Sequence, residues 1–227
     1  MLEAVIFDID GTLLDSVDLH ATAWQEALKH FGHSVPFAEI RGQMGKGGDQ
    51  LLPVFLSQTE LEHRGKHIEE YRSKIFKQKH LKQIRAFPHV RELFERIRAD
   101  GSRISLASSA KGDELATYKH IAKIEDLVEA ETSSEDADRS KPYPDIFRAA
   151  LRRLGSPPLE NVAVVGDSPY DAEAAARANL HTIVGVLCGG FPEELLRAAG
   201  CTAIFRDPED LLRNYHESPL ARDCTNP

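Results

Sequence analysis

The chain has 227 residues, 41% apolar and 28% charged, which is enough to bury a full core as one large or two modest domains. A net charge of -8 with scattered Lys and Arg argues against a nucleic-acid surface, which needs clustered cations. No apolar run approaches the roughly 20 residues of a membrane span, and no basic-then-apolar signal opens the chain, so no membrane partner and a cytoplasmic location are expected.

The first element is a strand over 4–9, and it ends in Asp8-Ile9-Asp10-Gly11-Thr12. A buried strand has no need of carboxylates, so two acids at alternate positions before a Gly-Thr turn point to chemistry at the strand's carboxyl end. Unless the strand ends between them, both side chains leave the same face and address one ligand. One carboxylate can attack phosphorus; the other can protonate the leaving oxygen and later deprotonate water.

From Asp15 to Arg85 the pattern is helical, as in Leu19, Ala23, Ala27, Leu28 and Phe31, and no convincing strand occurs. The stretch predicts a helical insertion that can sit over the strand ends as a lid. Within it, Arg41-Gly42-Gln43-Met44-Gly45-Lys46-Gly47-Gly48-Asp49 is rich in glycine. It is no phosphate-binding P-loop, because no Ser or Thr follows the lysine.

Further strands are expected over 103–107, 162–166 and 181–187, with weaker ones near 127–131 and 202–205. Helices over 88–100, 111–121, 143–154 and 170–178 alternate with them, which indicates a parallel sheet covered on both faces. After strand 103–107 come Ser108 and Ser109, just before a helix. The Ser108 hydroxyl and the backbone N–H groups that follow, from Ser109 on, can hold phosphate oxygens, although such serines often serve only as an N-cap. Lys141 precedes Pro142, and proline's preference for a helix's first turn places the lysine at a helix entrance, where its ammonium can offset phosphate charge. After strand 162–166 come Asp167 and Asp171. Mg2+ takes one or two carboxylates with waters and phosphate, so Asp8, Asp167 and the Asp10 carbonyl make a hard-oxygen site. Asp171 can hold a metal water or Lys141, or simply occupy a helix's first turn. Cys188, Cys201 and Cys224 lack metal spacing and read as reduced thiols. The tail from Glu217, through Ser218-Pro219 and Thr225-Asn226-Pro227, reads as frayed.

Together these motifs resemble the haloacid dehalogenase superfamily, in its helical-cap branch of phosphoglycolate phosphatases and β-phosphoglucomutase-like enzymes. The matching residues are Asp8-Ile9-Asp10-Gly11-Thr12, Ser108, Lys141-Pro142 and Gly166-Asp167-Ser168-Pro169-Tyr170-Asp171. The resemblance implies an α/β fold, a doubly wound, Rossmann-like parallel core over 1–14 and 86–227 with a helical cap over 15–85. It implies Asp8 as nucleophile, Asp10 as general acid and base, Ser108, Ser109 and Lys141 as phosphate ligands, and Mg2+ held through Asp8, Asp10 and Asp167. The expected activity is hydrolysis of a small phosphorylated metabolite through an aspartyl-phosphate, by a monomer or weak homodimer. The second acid, Asp10, speaks against dehalogenation. A sugar-phosphate mutase is the alternative, since His20 and Trp24 are similar to cap residues of such enzymes, but Gly166-Asp167 stands where mutases carry Glu-Asp. By the same resemblance Arg41 and Lys46 lie where the cap reads the substrate. A cap-lysine Schiff base at Lys46, and a catalytically silent member of the fold, are more distant alternatives.

Overall fold

The structure, a computed structural model, describes residues 2–221; Cys224 and the tail residues Thr225-Asn226-Pro227 lie outside them. The strands are β1 (Ala4–Phe7), β2 (Leu14–Asp15), β3 (Arg85–Ala86), β4 (Arg103–Ala107), β5 (Ala130–Thr132), β6 (Val162–Gly166), β7 (Thr182–Val186) and β8 (Ala203–Phe205). The α-helices are α1 (Val17–His30), α2 (Phe37–Arg41), α3 (Gly48–Leu51), α4 (Gln58–Glu60), α5 (Lys66–Ile75), α6 (Val90–Ala99), α7 (Gly112–Ala122), α8 (Asp145–Arg153), α9 (Pro169–Arg177), α10 (Glu193–Ala199) and α11 (Pro208–Arg213).

Six strands form one parallel sheet in the order β5-β4-β1-β6-β7-β8. The chain starts in the middle, builds outward on one side and returns to build the other, so β1 sits at the topological switch point where such sheets bind ligands. Alternation along β1 separates two cores. Val5 and Phe7 pack with Leu93, Phe94 and Ile97 of α6 and with Leu115 and Tyr118 of α7, whereas Ala4 and Ile6 pack with Phe147 and Ala150 of α8 and with Ala174 and Ala175 of α9. Both faces are dry, which is why these strands read as unbroken apolar runs.

Phe7 lies beside Leu106 of β4 and Val165 of β6. That register brings Asp8, Ser108 and Asp167, each just past its strand, to one end of the sheet.

Between β2 and β3 the described chain forms helices joined by turns, with one isolated bridge between Met44 and Lys46 and π-helical turns at Leu61–Gly65 and Phe76–His80 flanking α5. Leu14 pairs with Ala86 and Asp15 with Arg85, so the outgoing and returning connections run side by side. The helical segment has its own apolar cluster, in which Ala21, Trp24 and Leu28 of α1 meet Ile40, Leu51 and Ile68. Ala23, Ile75 and Phe76 join the main core instead.

Three expectations are corrected. Pro142 does not open a helix: α8 starts at Asp145 behind Pro144, and Lys141-Pro142 is a cis peptide in the loop ahead of it. The Ser-Ser pair is not an N-cap, because α7 begins at Gly112 behind Lys111. The tail is docked as far as it is described: Leu220 is buried with Tyr215, whose hydroxyl donates to the Leu220 carbonyl at 3.0 Å, because the apolar Leu211, Tyr215 and Leu220 complete the core. Two helices, α10 and α11, carry too little apolar periodicity to stand out in the sequence. Among the described residues no helix is long and apolar enough to cross a membrane.

Candidate active site

Asp8 is the first residue past β1, fixed by its own N–H donating to the Val165 carbonyl at 2.9 Å. Its carboxylate is buried against Lys141, which donates to Asp8 Oδ1 and to the Ala107 carbonyl at 3.2 Å and forms an ion pair with Asp171 Oδ1 at 2.7 Å. Lys141 is only 1% exposed. A buried ammonium is tolerable when, as here, two carboxylates and a carbonyl replace its water. Burial works against its charge, but Asp171 and Asp8 outweigh that and raise its pKa.

Asp171 faces two ways. One oxygen holds Lys141; the other closes a capping box at the start of α9, accepting from the Ser168 hydroxyl at 2.6 Å and the Ser168 N–H at 3.1 Å.

Asp167 completes the floor. Thr12 donates to Asp167 Oδ1 at 3.0 Å and reaches Asp8 Oδ2 at 3.3 Å, so the hydroxyl of the Gly-Thr turn ties two strand ends together. Close approach explains two glycines. A Cβ at Gly11, where φ is +86°, would lie 2.4 Å from Asp167 Oδ2, and one at Gly189 would lie 1.8 Å from the same oxygen.

Ligand atoms of Asp8, Asp167 and Asp171 all lie within 4.8 Å of one another. Burial, then Asp171 and Asp8, push the Asp167 carboxyl well above the usual range; burial raises Asp8 to about 7, with Lys141 opposing. Three buried carboxylates with a single ammonium leave negative charge uncompensated, and hard oxygens around that excess fit Mg2+. Asp171 shares Lys141 with Asp8 and caps α9 through its other oxygen, whereas Asp167 meets only the Thr12 hydroxyl among the hydrogen bonds of the floor.

Asp10 belongs to a separate network, because β1 has ended before it. Ser16 donates to Asp10 Oδ1 at 2.6 Å and His20 Nε2 lies 2.8 Å from the same oxygen. Ser16 is the N-cap residue of α1 but makes no cap bond with its side chain; its hydroxyl is spent on Asp10. Arg72 of α5 donates to His20 Nδ1, which leaves Nε2 to donate toward Asp10. His20 also stacks on Phe76 with ring centroids 4.0 Å apart. Burial disfavours ionisation of Asp10, yet His20, Ser16 and Arg72 prevail and its pKa is lowered.

The two networks meet in a cleft with about 650 Å³ of empty space, lined by Asp8, Asp10, His20, Trp24, Arg72 and Ser109 among others. Ser108 does not line it. Its side chain is fully buried and accepts from the Ala110 N–H at 3.0 Å, shaping the loop that presents Ser109 and Ala110.

The two cap cations part company. Lys46 lines the cleft, half-buried, donating to Gln43 at 2.6 Å and lying 4.6 Å from the centre of the Tyr170 ring; burial lowers its pKa, with Glu173 opposing. Arg41 does not reach the cleft. It pairs with Asp18 at 2.8 Å and donates to the Gly189 carbonyl at 2.9 Å, fastening the helical segment to the loop beside Asp167. Ser16, Arg72 and Glu114 were not singled out from sequence. Ser16 had a signal as the hydroxyl before a helix, whereas the other two carry none until the helices are packed.

Residues 5–185 match the family model described as haloacid dehalogenase-like hydrolase. The chain is 29% identical over 222 residues to a phosphorylated carbohydrates phosphatase of Thermotoga maritima, covering 95% of this chain and 99% of that one. It is 29% identical to a phosphoglycolate phosphatase of Nitrosospira multiformis, over 79% of this chain and 81% of the relative. The crystal structure of a hydrolase from Pseudomonas syringae superposes with a TM-score of 0.86 at 30% identity, covering 94% of this chain and 98% of that one.

Proposed function

The chain belongs to the haloacid dehalogenase-like hydrolases, and from that premise we propose that it is a Mg2+-dependent phosphatase of small phosphorylated metabolites, acting through an aspartyl-phosphate on Asp8. The observation that carries the reading is the division of the two acids. Asp8 is held by Lys141 on the floor, while Asp10 is held by Ser16 and His20 at the side of the same cleft. Two carboxylates in unlike surroundings can take unlike roles.

In the proposed cycle an oxygen of Asp8 attacks phosphorus in line, and the bond from phosphorus to the leaving oxygen breaks as Asp10 protonates that oxygen. Asp10, now ionised, takes a proton from water, which attacks the phosphoryl group and frees Asp8 and inorganic phosphate. Lys141 and the N–H groups around Ser109 face the charge on the transferring group. Mg2+, when bound by Asp8, Asp167 and the Asp10 carbonyl, supplies positive charge that keeps Asp8 ionised and stabilises the phosphoryl oxygens. The proposed cap, residues 15–85, controls water access through the seam at Arg41.

One contact favours a sugar-phosphate mutase as second reading: His20, from the helical segment, holds Asp10. Gly166 favours hydrolysis. A Cβ there would lie 2.6 Å from the Asp171 Cβ, so the acid that mutases carry at this place has no room.

The test is phosphate release from p-nitrophenyl phosphate, sugar phosphates and phosphoglycolate, with and without Mg2+. Asp8→Asn is expected to lower metal-dependent release roughly a thousandfold or more. Activity that survives the substitution would overturn the reading; isomerised sugar phosphate without free phosphate would favour the mutase.

A further inference from the structure

Glu114, in the first turn of α7, is a charged side chain that the proposed cycle does not use. It is 4% exposed, yet it lines the cleft beside Asp10, His20 and Arg72, and lines the groove that continues from it. Apart from Lys77 Nζ at 3.6 Å, its carboxylate has no hydrogen-bonding or ionic partner among the described residues, and that ammonium sits nearer Asp113, at 2.6 Å. An almost fully buried carboxylate whose one cation is shared with a nearer carboxylate keeps acceptor capacity to spare, and a ligand that brings donors can use it.

The cations near that ligand are already engaged: Lys46, which also lines the cleft, donates to Gln43 at 2.6 Å and lies 4.6 Å from the centre of the Tyr170 ring. Arg72 shares the wall, but it donates to His20 and lies over the rings of Trp24 and Phe76, about 5 Å from each. The groove beyond is lined by five acids against three cations. Burial and the charge of Asp49 raise the pKa of Glu69 there. Trp24, Val17 and Met44 add an apolar strip to the cleft. A wall of acceptors beside an aromatic ring matches a molecule with hydroxyl donors on a C–H frame.

Resting on the phosphatase reading, we propose that Glu114 is a specificity-determining residue that accepts hydroxyl protons from the leaving group, so that the enzyme takes phosphate monoesters of neutral polyols, sugars or sugar alcohols, and rejects those with a second anionic group. A hydroxyl satisfies the Glu114 carboxylate. A second carboxylate or phosphate meets it as a like charge in a water-poor cleft, the repulsive element by which a site discriminates. Sites built to bond a substrate hydroxyl reject the analogue that lacks it, because the buried acceptor stays unpaired.

The experiment compares kcat/KM for a hexitol monophosphate, 2-phosphoglycolate and p-nitrophenyl phosphate, in Mg2+, for the wild-type protein and for Glu114→Gln and Glu114→Asp. The wild type is expected to prefer the hexitol phosphate to phosphoglycolate. In Glu114→Gln the ratio of hexitol to p-nitrophenyl phosphate should fall about tenfold and the ratio for phosphoglycolate should rise. Glu114→Asp, which keeps the charge, should recover part of the preference, and it carries the test alone if the Gln variant does not fold. Ratios that stay within about twofold of wild type, or a wild-type preference for phosphoglycolate, would overturn the proposal. If no compound is hydrolysed, the phosphatase reading fails separately. Calorimetric binding of the hexitol phosphate to Asp8→Asn and to Asp8→Asn/Glu114→Gln then decides: tenfold weaker binding in the double variant supports the role of Glu114, and equal binding refutes it.

Discussion

At the strand ends, Asp8, Asp167, Asp171, Lys141 and Thr12 bind one another and are almost wholly buried. Across the cleft, the helical segment packs Ala23, Ile75 and Phe76 into the main core, and its polar seam with the core is made of separate bonds such as Arg41 to the Gly189 carbonyl at 2.9 Å, Tyr170 to the Gly42 carbonyl at 2.7 Å, and the Ser140 N–H to Asp49 at 3.1 Å. The difference separates two kinds of work. The floor is preorganised, with its charges fixed before anything binds, as electrostatic stabilisation of a phosphoryl group requires. The polar seam is built of separate hydrogen bonds, as the proposed cap would need in order to open and close around substrate. Substitutions in the floor should therefore act on chemistry and stability together, and those on the cap side on proton delivery and choice of substrate.

The largest effect is expected at Asp167. Burial, and then the repulsion of Asp171 and Asp8, disfavour its ionised carboxyl, so Asp167→Asn should relieve that cost and raise the melting temperature of the metal-free protein, while activity falls roughly a thousandfold. In the wild type, Mg2+ at a hundred times its Kd should add about 2.7 kcal/mol of stability by mass action, and the variant should lose that increment. Thermal unfolding with and without Mg2+ reads both effects. An unchanged Mg2+ response in the variant would remove Asp167 from the metal site and blur the boundary between floor and cap.

Next comes Lys141→Met, which strands Asp8 and Asp171 without their common cation. Breaking such a buried set costs about 3–5 kcal/mol, and phosphate release should fall roughly a hundredfold. Denaturant unfolding measures the first; a loss under about 1 kcal/mol would mean that the floor is no better bonded than a surface pair.

The same division governs what the sequence revealed. Asp8, Asp167 and Ser108 each follow an apolar strand, and parallel register alone aligns such positions, so the floor was legible from spacing and strand type. Even there, side-chain roles depended on packing. Ser108 turned inward to the Ala110 N–H, and Lys141 reached Asp8 from a loop, not from a helix entrance. On the cap side little was legible. Arg72 lies 52 positions from His20, and the packing of α5 against α1, in a cluster that includes Ile68 with Ala21, Trp24 and Leu28, brings them together. Arg41 and Lys46 sit in one glycine-rich stretch, yet one fastens the seam and the other lines the cleft. Glu114 resembles any acid in a helix's first turn until the cleft forms around it.

The smallest of these effects, and the sharpest test of the cap's share in chemistry, is at His20. Burial alone would raise the pKa of Asp10; His20 is the main group that turns the shift downward, with Ser16 and Arg72 assisting. In the hydrolytic half of the proposed cycle Asp10 must be ionised to take a proton from water, so activity is lost as pH falls through its pKa. His20→Ala removes the chief lowering influence, the pKa of Asp10 rises, and the acid limb of the kcat profile should move to higher pH, with roughly tenfold less activity where the wild-type limb lies. Arg72→Met should move the limb in the same direction but less, since it orients His20 and otherwise acts on Asp10 by charge alone. A profile that keeps its acid limb while KM rises would place His20 among the substrate-binding residues of the cap, with no share in setting the proton on Asp10.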